Sequence, residues 1–131
     1  MTKDGILNPE LCQAIAACGH TDYFVIADCG LPIPKGARLI DLSLIRGVPR
    51  FMDTLKAVSR ELVVESCILA DETEAQSPSL YEEIRSAMGT LPVRTVSHEE
   101  LKKLTANAKV IVRTGETTPF ANIILSCGVN F

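Results

Sequence analysis

Apolar positions along this chain switch repeatedly between helical and strand spacing. Leu11, Ala14, Ile15 and Cys18 recur at i, i+3, i+4 and i+7, which is one face of a helix. Asn8 is placed to cap that helix and Pro9 to occupy its first turn. Gly19 is placed to end it in the left-handed conformation. Tyr23-Phe24-Val25-Ile26-Ala27 is a continuous β-prone run, closed by Asp28-Cys29-Gly30. Pro32 and Pro34 then exclude a helix interior or a central strand, so Leu31 to Gly36 is an extended loop.

The alternation continues to the last residues. Arg38 to Leu42 fits a strand. Pro49 is placed to open a helix with Met52, Leu55 and Val58 on one face. Leu62 to Ala70 is a strand, Pro78 to Met88 a helix, and Val93 to Val96 a short strand. Ser97 and Glu100 match a capping box ahead of Leu101 and Leu104. Lys109–Arg113 and Asn122–Ser126 are the final strands, joined by the loop Thr114 to Ala121. Strands alternating with helices predict an α/β fold: a single domain over 1–131 with a mainly parallel central sheet flanked by helices. Ligands of such sheets bind beyond the carboxyl ends of strands, where Asp28 and the loop after Arg113 fall.

Composition narrows the chemistry. The 131 residues are 47% hydrophobic and 22% charged, which excludes a disordered chain, and the core must be aliphatic because aromatics are 5%. A net charge of -3 with no basic face argues against nucleic acid or an anionic membrane as partner. No apolar run approaches the ~20 residues of a membrane span, and Met1 to Gly5 lacks the apolar stretch of a secretory signal. A cytoplasmic protein is expected. The five cysteines are scattered without a C-x-x-C, so they read as small buried hydrophobes, with neither a disulfide framework nor a metal site. No glycine pattern matches a dinucleotide or phosphate loop, so no nucleotide cofactor is expected.

The chain has only two histidines, and the pattern puts both at helix ends. His20 follows a helix C-terminus and His98 lies in the first turn of another, so opposite ends of helix dipoles face them. That arrangement suits His20 as an acid and His98 as a base or neutral hydrogen-bonding partner; a surface or structural histidine is the alternative for each. Asp28 is either a carboxylate at the ligand edge or an Asx-turn residue capping the proline loop. Asn122 either offers donors and an acceptor to a polyol or bonds loop backbone. Asp71-Glu72-Thr73-Glu74 reads as a solvated helix face.

Several segments, taken together and in order, resemble one family. They are Gly19-His20-Thr21-Asp22, Asp28-Cys29-Gly30-Leu31-Pro32-Ile33-Pro34 and Gly47-Val48-Pro49-x-Phe51. Thr114-Gly115-Glu116-x-x-Pro119-Phe120-Ala121-Asn122-Ile123-Ile124-Leu125 and the ending Gly128-Val129-x-Phe131 follow. The chain thereby resembles the D-ribose pyranase family over nearly its whole length, and less closely its sister group, the L-fucose mutarotases. The resemblance implies interconversion of β-D-ribopyranose and β-D-ribofuranose during D-ribose use, without cofactor or metal. It implies His20 as proton donor, with Asp28, His98 and Phe120, Ala121 and Asn122 binding the sugar. It also implies a homo-oligomer, a ring-based decamer with sites near subunit contacts. One departure stands out: the family usually has Tyr where Phe120 stands, so a hydroxyl is missing. A mutarotase for L-fucose or another sugar, and a non-catalytic sugar-binding module, are the competing readings.

Overall fold

The computed structural model describes residues 1–131. One six-stranded sheet organises them, with β1 (Tyr23–Ala27), β2 (Leu39–Asp41), β3 (Val64–Ala70), β4 (Val93–Val96), β5 (Val110–Arg113) and β6 (Ile123–Cys127) in the order β2-β5-β1-β6-β3-β4. The pairs β2–β5, β5–β1 and β3–β4 are parallel, whereas β6 runs antiparallel to both β1 and β3. Five strands therefore point one way and β6 the other. The start of β6 lies among the carboxyl ends of the rest.

Alternate strand residues face opposite sides of the sheet. Phe24, Ile26, Leu69, Val112 and Leu125 face one core, covered by α1 (Pro9–Ala17), α2 (Phe51–Ser59) and α4 (Pro78–Met88). Val25, Ile68, Ile111 and Ile124 face a smaller core, closed by Leu101 of α5 (His98–Leu104) and by Leu31 of the proline loop. The predicted mainly parallel α/β sheet is present, and α4 and β4 have the expected ends.

Three local expectations need correction. Gly19 is not left-handed: α1 stops through an extended Cys18, and Thr21 takes the positive φ of 69° instead. The second helix starts at Phe51 rather than Pro49. Asp71–Gln76 forms a helix of its own, α3, and it is not merely a solvated face, since Thr73 is fully buried. No helix is long and apolar enough to cross a membrane.

Candidate functional site at the two edges of the sheet

The predicted site residues fall into two groups at opposite edges of the sheet. Asp28 follows the carboxyl end of β1, Asn122 precedes β6, and His98 follows β4. These three share one edge. His20 lies before β1, at the other edge. A five-residue strand at about 3.3 Å per residue separates the two edges by roughly 17 Å. One chain therefore does not bring His20 and Asp28 together.

At the first edge the parts brace one another. The Asn122 side chain accepts from the Asp28 backbone N–H at 2.9 Å through Oδ1, and its Nδ2 donates to Asp28 Oδ2 at 3.0 Å. Asp28 Oδ1 accepts from the Gly30 N–H at 2.9 Å, closing an Asx-turn. Asp28 thus caps the proline loop and stands just beyond the carboxyl end of β1. Asn122 and Ala121 are fully buried in the single chain, and the Asn122 amide faces Asp28. Phe120, half-buried, has a left-handed φ of 61° and sets its ring edge-on to the His98 imidazole, with centroids 5.0 Å apart and planes at 80°. The stretch from Phe120 to Asn122 therefore touches His98 at one end and holds Asp28 at the other.

Strained backbone of this kind persists only where its surroundings hold it. The hydroxyls of Thr73 and Ser77 donate to the carbonyls of Phe120 and Pro119 at 2.9 and 2.8 Å. The Glu72 carboxylate accepts from the His98 backbone N–H at 2.6 Å, fixing the start of α5. His98 Nδ1 is buried with no hydrogen-bond partner. Sequence reasoning missed Glu72, Thr73 and Ser77; the one available signal was a threonine inside an acidic run that directly follows a buried strand. Glu116 braces the neighbouring loop, accepting from Phe51 N–H at the start of α2 and from the Thr118 hydroxyl. Although burial pushes its carboxyl upward, the N–H donors of Phe51, Thr117 and Thr118 and the Thr118 hydroxyl hold it below the ordinary range. Gly115 sits so close to Val48 that a Cβ would come within 2.3 Å of the Val48 carbonyl oxygen.

The second edge is open. The His20 side chain is 56% exposed, and its Nε2 lies 3.0 Å from Glu65 Oε2. Its turn is held by the Asp22 carboxylate, which accepts from Gly19 N–H at 2.8 Å, and by Thr21 N–H donating to the Cys127 carbonyl at 2.8 Å. A cleft of about 310 Å³ runs beside it, lined by Ile15, Cys18, Leu62, Val63 and Val129 among others. No group of three or more metal-ligating side chains gathers anywhere in the chain.

A mixed α/β sheet thus carries a braced carboxylate at one edge and an exposed imidazole beside Glu65 at the other. The chain belongs to the RbsD / FucU transport protein family, whose model matches residues 1–130. Relatives named D-ribose pyranase include that of Geobacillus thermodenitrificans, 54% identical, covering 100% of this chain and 99% of that protein. That of Clostridium botulinum is 53% identical over the full length of both. The structure of Bacillus subtilis RbsD complexed with D-ribose superposes with a TM-score of 0.97 at 46% identity, covering both chains completely. A Streptococcus pneumoniae fucose mutarotase has the same fold at a TM-score of 0.83 and 24% identity, over 95% of each chain.

Proposed function

We propose that this chain is a D-ribose pyranase, interconverting the β-pyranose and β-furanose forms of D-ribose. One observation carries the reading: the braced Asp28 carboxylate stands at the sheet edge of a backbone that matches a ribose-bound relative at a TM-score of 0.97. Ring opening needs a proton delivered to the ring oxygen and another removed from the anomeric hydroxyl. The C1–O bond then breaks to leave an aldehyde, and a different hydroxyl closes the new ring. No electrons are transferred, so acid and base groups suffice, contributing about 10²–10⁴-fold. In this scheme His20 donates to the ring oxygen. Asp28 and His98 hold hydroxyls and relay the second proton against the ring of Phe120. Ala121 and Asn122 form the floor that keeps Asp28 in place. The whole chain, 1–131, acts as one domain in the cytoplasm.

Two copies must meet for this chemistry, because one copy keeps His20 and Asp28 at opposite edges. Each edge carries exposed apolar residues: Leu44, Ile45 and Val48 beside Cys29 and Gly115, and Val63, Val129 and Phe131 beside His20. Two different patches facing opposite ways give a head-to-tail contact, which closes into rings. The reading therefore includes a ring-based homo-oligomer, a decamer in the form the family resemblance suggests, with each site shared by neighbours.

The test is exchange between ribose ring forms, followed by saturation-transfer NMR. His20→Ala and Asp28→Ala each abolish catalysed exchange with the fold intact. Co-refolded in equal amounts, the two inactive variants regain about a quarter of the sites, because some contacts pair an intact His20 with an intact Asp28. Undiminished exchange in His20→Ala removes it from the scheme. Silence in the mixture removes the shared site. Exchange on L-fucose alone favours a mutarotase, and bound ribose without faster exchange favours a binding module.

A further inference from the structure

We infer that Glu65 is a positioning residue for the proton transfer, and that Nδ1 of His20 is the nitrogen that gives up the proton. The inference rests on the reading of His20 as acid and adds which atom acts and what aims it. Nε2 of His20 and Oε2 of Glu65 are 3.0 Å apart. An ionised carboxylate only accepts hydrogen bonds, so Nε2 must carry the hydrogen between them. The same pairing then serves both states of the ring. When the imidazole is doubly protonated, its charge faces Glu65. After Nδ1 has donated, the neutral ring remains as the Nε2–H tautomer with its bond to Glu65 intact. Nδ1, away from the carboxylate, is the site that releases the proton and later takes one back.

The fold is arranged around this bridge. Glu65 is near the start of β3 and His20 precedes β1, while the end of β6 lies between those strands. The two side chains therefore meet across Gly128. A Cβ at Gly128 would stand 3.7 Å from Glu65 Oε2, 3.4 Å from Glu65 Cβ and 3.2 Å from Val63 Cγ1. The tight approach is to Val63, while the Glu65 carboxylate would stay at ordinary van der Waals distance. Backbone bonds hold the frame: Gly128 N–H donates to the Val63 carbonyl at 2.9 Å, and Cys127 N–H to the Asp22 carbonyl at 2.9 Å. The left-handed Thr21 beside His20 adds a strained residue of the kind that clusters at working sites. In the single chain both partners are substantially exposed, at 56% and 43%, so the pair adds little to folding stability and its value is orientation.

The experiment compares Glu65→Ala, Glu65→Asp and His20→Ala in the assembled protein. Ring-form exchange gives kcat and KM for D-ribose, and ¹⁵N NMR of the His20 ring gives its tautomer. In Glu65→Ala, kcat falls about tenfold or more while KM stays within about twofold, the pattern of an aiming group lost from a histidine. Glu65→Asp, which keeps the carboxylate on a shorter arm, recovers part of the loss. The wild-type ring is the Nε2–H tautomer, and that preference weakens in Glu65→Ala. Unchanged kcat in Glu65→Ala, or an Nδ1–H tautomer in the wild type, overturns the inference while leaving His20 as the acid. Full activity in His20→Ala overturns the acid assignment itself.

Discussion

The two edges of this sheet are built to different standards. At the Asp28 edge several segments interlock: the Asn122 side chain and the Gly30 N–H on Asp28, Thr73 and Ser77 on the carbonyls of Phe120 and Pro119, and Glu72 on the start of α5. At the His20 edge, the His20–Glu65 contact, a Lys109–Asp22 pair at 3.5 Å and a short turn are open to solvent in the single chain. The first edge fixes coordinates. The second presents a group that reaches outward, and it suits a residue completing its surroundings with a neighbour. In the proposed scheme, rigidity is concentrated where a sugar's hydroxyls are sorted, and exposure where a single proton is delivered.

Four substitutions separate the edges by their effect on stability. Asn122→Ala leaves the part-buried Asp28 N–H unpaired and the carboxylate unbraced, which should cost about 2 kcal/mol in urea unfolding. A change below 0.5 kcal/mol would show that the braced edge is not braced by Asn122. Thr73→Val deletes the bond to the Phe120 carbonyl and should cost about 1 kcal/mol, with a larger loss in exchange activity because the Phe120 ring drifts from His98. Equal losses in Thr73→Val and an exposed control such as Glu74→Ala would break the comparison.

Asp41 supplies a pH-dependent contribution at the same edge. Bonds from Arg113 and Ser43 hold its carboxyl down at about 2. A depressed carboxylate stabilises the fold above its unfolded value of about 3.9 and loses that contribution as pH falls toward 2. Because the carboxylate is 40% exposed, the amplitude should stay below about 1 kcal/mol, and Asp41→Asn should remove it from an acid titration of stability. Smallest of all is His20→Ala, expected within about 0.5 kcal/mol of wild type in stability although exchange is abolished. A large destabilisation there would mean that the open edge supports the fold.

Much of the fold was readable because its cues are local. Pro78 and Met88 bound a helix with an apolar stripe, Ser97 caps α5 through Glu100 N–H, and the strands are short aliphatic runs. α3 escaped because six residues rich in acids show no stripe, and only Thr73 is buried among them. Gly19 misled because the Asp22 carboxylate takes its N–H, so the chain turns at Thr21. The direction of β6 carries no local signal, since it depends on which neighbours the strand joins. The split site was partly legible: a five-residue strand between His20 and Asp28 already places them at opposite ends. Glu65, on a half-exposed strand start far along the chain, had nothing in its own neighbourhood to mark it as a partner of His20.

The reversed strand has one more effect. β6 begins beside the residue that clamps Asp28 and finishes at the glycine over which His20 meets Glu65. Adding or deleting a single residue inside it would invert the facing of everything beyond. In the proposed scheme neither half-site could then drift without disturbing the other, so the five residues Ile123 to Cys127 act as a ruler that couples them.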